Sequence, residues 1–480
     1  MRNLLQQIVD SANPHADYAD ARYVNTRTEA LETRNGAVDR VANAEAEGVG
    51  IRVRLGGAWG FAATRETTTA AAEQALERAI AIARAQPAAP PTDLAPVEPA
   101  RGDHRAPAAG TDPFTVPLEQ KLDVLMAADA AMAADPRIRV RSGRFHGQVE
   151  TRIFASSDGA LCEQTFTECG GGIAATAVEG DEFQLRSYPS GHAGDVAQAG
   201  WEHFAALELP AHAPRIADQA IELLSAPACP ARDDATLILD SEQLALQLHE
   251  SVGHAVELDR VLGGEASYAG TSWVTPADLG ELRYGSELMT VTADATVPSG
   301  LGSYAWDDEG APASATPIVS QGVLRGFLTS RETAALIGLD RSGACMRASG
   351  FDRQPIVRMT NVSIAPGEAG TLADLIADTD DGIYMETNRS WSIDQRRWQF
   401  QFATEVAWEV KNGERGRMLR NPSYAGVTPA FWGSLDAVGS ASGWRLHGLL
   451  NCGKGEPGQL AHVSHGAAPA RFRGVTVGIA

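Results

Sequence analysis

The amino-acid sequence predicts an α+β protein made of two unlike domains. Its 480 residues exceed what one ordinary hydrophobic core supports. Helical and strand patterns alternate in the first half, whereas strand patterns dominate the second half. We therefore expect an N-terminal domain of helices and antiparallel sheet (1–227) and a β-rich C-terminal domain (228–480).

The N-terminal domain is expected to open with a helix, a small antiparallel meander and a second helix. The first helix covers residues 2–12, because Asn13-Pro14 ends it. Alternating apolar residues and the turn signal Asn35-Gly36 predict the meander. An Ala-rich stretch predicts the second helix at 67–85. The Pro/Ala-rich run 86–116 is typical of an extended connector without strand pairing.

A helix, four strands and two further helices are predicted for the rest of this domain. We expect Gly170-Gly171-Gly172 to break or bulge the strand region, since glycine is frequent at bulges. The predicted helices cover 117–134, 193–207 and 213–226, and the predicted strands cover 137–144, 148–156, 160–168 and 171–178.

The C-terminal domain is expected to begin with a buried strand and a helix and then to be mostly β. The strand is 235–240, and Ser241 is a suitable N-cap for the helix that follows. Short helices are predicted at 331–337 and 370–378. The later strands are 316–321 paired with 323–328, 398–410 paired with 414–420, and a tail strand at 440–452.

Composition excludes several classes of partner. The net charge of −21 is unsuited to a protein that binds the nucleic-acid backbone. No run of 18 apolar residues predicts a membrane-spanning helix, and the first twelve residues lack the apolar core of a signal peptide. The five cysteines show no paired spacing, which favours a reducing compartment. We expect a cytoplasmic protein without nucleic-acid or membrane partners.

The sequence His249-Glu250-x-x-x-His254 is the strongest chemical signal in the chain. Neutral imidazole is the commonest protein ligand for metals, and a neighbouring carboxylate can take a proton from a metal-activated water. The usual zinc-peptidase motif separates its histidines by four residues, whereas these are separated by five. Five steps along an ideal helix turn the second ring by about 140° away from the first. The bland alternative is a chance pattern on an amphipathic helix.

The five-residue spacing of the two histidines restricts the backbone conformation that would let both of them bind one ion. Either a π-helical turn brings both rings to one side, or His254 does not bind the metal. Gly253 precedes the second histidine and belongs to the residue type that tolerates a distorted backbone.

Residue chemistry leaves three candidates for a third metal ligand, Cys452, Glu257 and Asp259. Cys452 lies in a glycine-flanked turn, and the nearby Lys454 is expected to lower the pKa of its thiol. Glu257 is three residues beyond His254, with Asp259 close behind it. Residue chemistry favours Cys452 slightly over Glu257.

Several stretches together resemble the TldD/PmbA family of zinc peptidases. The resemblance is close over most of 230–480 and extends to the N-terminal half in layout only. The stretches are the histidine motif, Cys452-Gly453-Lys454, Asp307-Asp308-Glu309-Gly310 with Pro312, the hairpin Ile318–Gly326, and Pro355-Ile356-Val357-Arg358-Met359-Thr360-Asn361.

The resemblance implies a set of site residues and an assembly. It implies Zn²⁺ held by His249, His254 and Cys452, with Glu250 as general base. PmbA-type subunits typically lack the histidine motif, so this chain looks like the active, TldD-type subunit. The family works as a homodimer or as a heterodimer with a PmbA-type partner. The stretch 255–259 departs from the family, which often has a Gly-containing acidic segment there, and this leaves Glu257 and Asp259 without an assigned role.

We therefore expect a zinc-dependent peptidase that cleaves small peptides or unfolded polypeptides. The alternative is a non-catalytic zinc-binding protein or the scaffold partner of a heteromeric peptidase. A donor for the developing oxyanion is also needed. The candidates are Tyr268, Tyr284, Tyr304 and His447. His462 and His465 are expected to be ordinary surface residues, and the alternative is that one of them supports a metal ligand from behind.

Overall fold

The structure is a computed structural model that describes residues 1–87, 92–108, 110–191, 194–455 and 458–478. Helices and strands are interspersed along the described residues, which confirms the α+β prediction. The α-helices are α1 (Arg2–Ala12), α2 (Thr69–Ala85), α3 (Leu118–Met132), α4 (Trp201–Ala206), α5 (Leu209–Ser225), α6 (Ser241–Leu248), α7 (Leu258–Val261), α8 (Arg331–Leu336), α9 (Leu372–Ala377) and α10 (Thr428–Gly433).

The strands fall into an earlier and a later group along the chain. The earlier strands are β1 (Tyr18–Arg34), β2 (Ala37–Leu55), β3 (Ala58–Thr64), β4 (Arg101–Ala106), β5 (Ile138–Ser156), β6 (Leu161–Glu179), β7 (Glu182–Tyr188) and β8 (Asp195–Ala197). The later strands are β9 (Arg232–Leu239), β10 (Val291–Asp294), β11 (Ala315–Ser320), β12 (Val323–Leu324), β13 (Met346–Arg347), β14 (Ile356–Val357), β15 (Asn361–Ile364), β16 (Asp381–Ile393), β17 (Gln399–Lys411), β18 (Glu414–Leu419), β19 (Ser423–Val427), β20 (Leu435–Val438), β21 (Arg445–Lys454), β22 (Gln459–Ala467) and β23 (Ala470–Val477).

The earlier strands form one sheet with two chemically different faces. Among the described residues its order is β3-β2-β1-β5-β6-β4, and β7 and β8 also pair with β6. Alternate residues of a strand point to opposite faces. Ala19, Ala21 and Leu31 of β1 accordingly lie in apolar clusters with the helices α1, α2, α3 and α5. The intervening Asp20 and Arg22 are buried on the other face.

The charged face of this sheet meets an acidic segment of the C-terminal half. Arg22 and Arg152 reach Asp308 at 3.6 and 3.2 Å, and Arg52 reaches Glu309 at 3.6 Å. All five side chains have low exposure in the structure, so each charge needs its partner. The acidic segment Asp307-Asp308-Glu309, which is part of the family resemblance, therefore joins the two halves of the chain.

Several details of the N-terminal half differ from expectation. The connector was expected to contain no strand, but Arg101–Ala106 forms β4, which runs parallel to β6 from Leu161 to Phe166. This segment contains no proline, so its backbone N–H groups can join the ladder. Residues 88–91 and 109 of the predicted connector lie outside the described residues. The predicted helix 193–207 is wrong at Asp195–Ala197, which is strand β8, and helix α4 begins only at Trp201.

The expected break at Gly170-Gly171-Gly172 is also wrong, because β6 runs through it without interruption. A Cβ atom on Gly170 would lie 2.0 Å from the carbonyl oxygen of Asp195, and one on Gly171 would lie 2.1 Å from that of Arg144. These glycines let neighbouring backbone come close rather than bending the strand. The four strands predicted around them are the two long strands β5 and β6.

The later strands enclose the segment that carries the histidine motif. Within the described residues they form a six-stranded sheet (β12-β11-β10-β15-β22-β21), a two-stranded sheet (β13-β14) and a seven-stranded sheet (β16-β9-β23-β19-β17-β18, with β20 on β23). Helix α6 contacts β16 of the seven-stranded sheet and β22 of the six-stranded sheet. Every residue from Glu242 to Leu248 is buried, so the motif begins deep in the C-terminal core.

The predicted hairpins of this half are largely confirmed. Strands β17 and β18 match the pair 398–410 and 414–420, but the return strand 323–328 is limited to Val323–Leu324. In the part of the chain that the structure describes, no helix has the length and apolar character needed to span a bilayer. The domain boundary at 227/228 remains a prediction, although no sheet among the described residues contains strands from both sides of it.

Candidate metal centre

The histidine motif adopts the π-helical turn that its spacing demands. Residues His249–Gly253 are π-helical, and the backbone N–H of His254 donates to the carbonyl oxygen of His249 five residues earlier. The two imidazole ring centres lie 4.8 Å apart. The extra residue per turn therefore brings together two rings that an α-helix would separate.

Hydrogen bonds around Ser251 stabilise this turn. The Tyr284 hydroxyl donates to the Ser251 carbonyl oxygen at 2.6 Å. The Trp432 indole N–H donates to the Ser251 hydroxyl at 2.9 Å, and that hydroxyl donates to the Gln247 carbonyl oxygen at 2.6 Å. A π-helical turn weakens the regular backbone hydrogen bonds of a helix. The bonds around Ser251 give polar groups of the turn partners from outside the regular helical pattern.

Gly253 is required for a different reason from the one expected. Its φ of −51° is ordinary helical backbone, so the turn does not need the conformational freedom of glycine there. A Cβ atom at this position would instead lie 2.2 Å from the sulfur of Met359. The glycine allows the turn to lie directly against the β-rich core.

Replacing Gly253 by alanine is expected to destabilise the protein by about 1–3 kcal/mol, because the added methyl group overlaps Met359. Chemical denaturation measures the change in the free energy of unfolding. Gly433→Ala is the matched control, since a Cβ there meets nothing within 4 Å. Equal effects of the two substitutions would contradict the close contact with Met359.

A histidine outside the motif, His465, holds the side of the His249 ring that faces away from His254. The Nδ1 atom of His249 lies 2.7 Å from Nε2 of His465, and Nδ1 of His465 lies 2.8 Å from the carbonyl oxygen of Val362. A carbonyl oxygen only accepts, so Nδ1 of His465 carries a hydrogen and its Nε2 accepts from His249 when both rings are neutral. This series of hydrogen bonds leaves a free lone pair on Nε2 of His249. His465 was expected at the surface, but it is buried and fixes the tautomer of His249.

His254 is oriented in the same way by a carboxylate. Its Nδ1 atom lies 2.9 Å from Oε2 of Glu257, so Nδ1–H donates there and Nε2 keeps its lone pair. That Nε2 atom lies 3.7 Å from the sulfur of Cys452. Burial lowers the pKa of His249 to about 4 and the pKa of His254 well below its usual value. Both rings are thus neutral at pH 7, as metal ligation requires.

Cys452 reaches this point from strand β21, on which it pairs with Ala461 of β22. Burial alone raises the pKa of its thiol, but the Arg358 guanidinium and the contact with His254 outweigh burial and lower the pKa overall. Lys454, which was expected to do this, instead bonds Asp259 and the Val357 carbonyl oxygen, each at 2.7 Å. The thiolate form is therefore favoured by arginine rather than by lysine.

Glu250 has a partner that the sequence did not reveal. Its carboxylate accepts a hydrogen bond from Arg397, which lies at the tip of the hairpin formed by β16 and β17. Among the described residues, the Nε atom of Arg397 is buried without a hydrogen-bond partner. Arg397 lies next to Arg396 and far from the motif in the chain, and no pattern in the sequence distinguishes the two arginines.

The four residues considered as oxyanion donors are engaged elsewhere or lie outside the centre. The Tyr284 and Tyr304 hydroxyls donate to backbone carbonyl oxygens, and Nε2 of His447 lies 3.0 Å from the Ser241 hydroxyl. Tyr268 is 57% exposed. His462 pairs with Glu168 rather than with the centre.

Two imidazole nitrogens and one cysteine sulfur form a donor set whose chemistry fits a zinc ion. One nitrogen each from His249 and His254 and the sulfur of Cys452 lie within 4.8 Å of one another. Zinc bonds of about 2.0–2.1 Å to nitrogen and about 2.3 Å to sulfur give an N···S separation of about 3.6 Å at a tetrahedral angle. The distance from His254 to Cys452 is 3.7 Å, so this pair is already spaced for the ion.

Comparison with known proteins places most of the chain in one family. Sequence profiles of the PmbA/TldA metallopeptidases match residues 19–83 (domain 1), 111–226 (central domain) and 232–479 (C-terminal domain). A metalloprotease of Methanothermobacter thermautotrophicus is 30% identical over 99% of this chain and 98% of its own. A zinc metalloprotease TldD homolog of Saccharolobus solfataricus is 26% identical over 52% of each chain.

The fold is also that of a solved structure. A putative modulator of a DNA gyrase from Thermotoga maritima superposes with a TM-score of 0.76, at 18% identity, over 99% of each chain. This likeness concerns the fold alone. With three matching domains and a full-length relative at 30% identity, the chain belongs to the PmbA/TldD family of metallopeptidases.

Proposed function

We propose that this chain is a zinc-dependent peptidase and the active, TldD-type subunit of its family. His249, His254 and Cys452 hold the ion, and Glu250 is the general base. The observation that carries the proposal is the convergence of these three ligand atoms within 4.8 Å, at the turn that also holds Glu250. The names of relatives, metalloprotease and zinc metalloprotease, support it.

The chemistry divides between the ion and the residues of the chain. Zinc, when bound, lowers the pKa of water toward neutrality and polarises a peptide carbonyl group. Glu250 accepts a proton from the attacking water and delivers it to the amine as the carbon–nitrogen bond breaks. The oxygen of the water becomes part of the new carboxylate. His465 and Glu257 keep the two ligand rings in the tautomers that leave Nε2 free.

Arg397 is the donor that we assign to the developing oxyanion. Its guanidinium group is planar, always charged and able to donate in several directions. Its ion pair with Glu250 occupies the carboxylate that must accept the proton. When the carbonyl oxygen of a substrate accepts the hydrogen bonds of Arg397, Glu250 is released from its ion pair with that arginine. Entry of the substrate and activation of the base are thereby coupled.

The position of Cys452 supports a proposal for the substrate class. Within the described residues, strand β21 is the last strand of its sheet, so the proposed sulfur ligand lies on an edge strand. An extended peptide can pair with such an edge through backbone hydrogen bonds, which requires an unfolded segment. We propose small peptides or unfolded polypeptides as substrates, in a homodimer or in a heterodimer with a PmbA-type partner. The five cysteines are all free, which supports a cytoplasmic location.

The alternative function, a non-catalytic zinc-binding or scaffold subunit, has one observation in its favour. Arg397 already occupies one carboxylate oxygen of Glu250, the residue proposed as the base. The test is peptide cleavage by the purified chain alone. Zinc binding without cleavage, alone or with a PmbA-type partner, would support this alternative.

Removal of the metal is expected to abolish cleavage of an unstructured peptide. Dialysis against a chelator leaves the two imidazoles and the cysteine side chain in a buried site, and about one equivalent of Zn²⁺ should restore most of the activity. The measurement is the initial cleavage rate before chelation, after chelation and after zinc is added back. Full activity in metal-free protein would refute a zinc-dependent reaction.

A further inference from the structure

A second group of metal-binding side chains lies outside the centre described above. His146, Glu168 and His462 each offer one ligand atom, and these atoms lie within 4.8 Å of one another. His146 is on β5, Glu168 on β6 and His462 on β22. The group therefore joins the N-terminal sheet to the C-terminal half.

The strand registers explain why the three side chains meet. Glu168 lies opposite Gln148, and His146 is two residues from Gln148, so both ligand side chains point to the same face of the sheet as diagonal neighbours. On β22, Ala461 lies opposite Cys452. The next residue, His462, points to the opposite face and so toward the N-terminal sheet. The second group is thus directly behind the strands that build the metal centre.

The hydrogen bonding of this group is incomplete. The Nδ1 atom of His462 lies 2.6 Å from Oε2 of Glu168. The Nε2 atom of His146 is buried, and no described residue forms a hydrogen bond with it. The two imidazole rings meet edge to face with their centres 5.8 Å apart. A buried polar nitrogen without a partner is costly, and a metal ion would supply the missing partner.

The space beside the group is large enough for the remaining ligands of an ion. Glu168 and His462 line a cavity of about 140 Å³, which can hold several water molecules. The ionisable side chains lining it also include Glu150, Arg152 and Arg347. Arg152 is neutralised by Glu150 at 2.5 Å, and Arg347 donates to the carbonyl oxygens of Met359 and Leu301.

We propose that His146, Glu168 and His462 form a second site for a divalent transition metal such as Zn²⁺. Two imidazoles and one carboxylate are an established zinc donor set, and the cavity leaves a position for water. The ion would tie the N-terminal sheet to β22 and hold this strand against the back of the metal centre. It is not required for the proposed peptidase chemistry, so the two proposals stand or fall separately.

Metal stoichiometry tests the second site. The full-length chain is stripped with a chelator, titrated with Zn²⁺, and its metal-to-protein ratio is measured. The wild type should bind about two equivalents, and His146→Ala and Glu168→Gln should each lose about one. His15→Ala, which removes an exposed histidine, is the control and should lose none. Glu168→Gln keeps the shape of the side chain, and circular dichroism checks that each variant is folded.

Cobalt distinguishes the two sites, because only the first contains sulfur. Cys452→Ser should lose the thiolate-to-cobalt charge-transfer band but keep visible bands from Co²⁺ at the second site. Glu168→Gln should keep the charge-transfer band and lose the second contribution. The proposal is overturned if the wild type binds a single equivalent that Cys452→Ser removes. It is equally overturned if the second equivalent persists in both His146→Ala and Glu168→Gln.

Discussion

Replacing Glu250 by glutamine is expected to reduce peptide cleavage by about 10²- to 10⁴-fold, which is the range of a lost general base. The amide has nearly the shape of the carboxylate but cannot accept the proton of the attacking water. Zinc content should be unchanged, because the proposed ligand atoms come from His249, His254 and Cys452. The measurement is kcat/KM on an unstructured peptide together with metal analysis of the same preparation.

Glu242→Gln provides a matched control for this experiment. Glu242 is also buried and lies on α6 just before the motif, where it accepts a hydrogen bond from the Asn388 backbone. A glutamine oxygen can accept the same bond, so cleavage should remain within a few-fold of the wild type. Near-normal cleavage by Glu250→Gln would remove Glu250 from the mechanism. Loss of zinc from that variant would show instead that Glu250 supports the ion.

Replacing Cys452 by serine is expected to weaken zinc binding by more than about 10²-fold. Loss of a ligand should exceed the 10- to 100-fold that outer hydrogen-bond partners typically contribute. Serine keeps the size of the side chain but offers zinc a neutral hydroxyl group in place of a thiolate. Competition with a chromophoric chelator measures the affinity of the wild type and the variant.

Two further substitutions serve as comparisons for the Cys452→Ser measurement. Cys345→Ser alters another buried cysteine, whose thiol lies 3.3 Å from the Gly343 carbonyl oxygen, and should leave zinc affinity unchanged. Glu257→Gln removes the carboxylate behind His254 and should cost about 10-fold. If Cys452→Ser binds zinc normally and Glu257→Gln does not, the third ligand is Glu257.

The sequence predicted the part of the site that depends on local geometry. A spacing of five residues can bring two rings to one ion only through a wider helical turn, and that turn is present. The reason for Gly253 was missed because it depends on Met359, more than a hundred residues further along the chain. The glycine-flanked turn and the family resemblance together pointed to Cys452.

The side chains behind the ligands could not be predicted in this way. His465 and Arg397 meet the motif only because β22 and the hairpin of β16 and β17 lie beside α6 and its π-helical turn in the folded chain. Nothing adjacent to either residue in the sequence distinguishes it from its neighbours His462 and Arg396. Contacts of this kind follow from sheet topology, which a single sequence does not contain.

The same limit explains the errors in the N-terminal half. Strand β4 exists because it pairs with β6, whose partner residues begin about sixty positions later. The sequence around Gly170 and Gly171 suggested a break in the strand. Glycine is needed there instead because the backbones of Asp195 and Arg144 come close, and a tertiary contact of this kind is not visible in the local sequence. Local patterns located most helices and strands, but they did not show which strands join or which backbones touch.

The central claim is that a π-helical turn brings His249 and His254 together with Cys452 at a single ion. The most direct test is a crystal structure of the zinc-loaded chain with an anomalous difference map recorded at the zinc absorption edge. We predict a peak about 2.0–2.1 Å from Nε2 of both histidines and about 2.3 Å from the cysteine sulfur. A straight α-helix through residues 249–254, or a zinc peak at this centre bonded to only one of the two imidazoles, would contradict it.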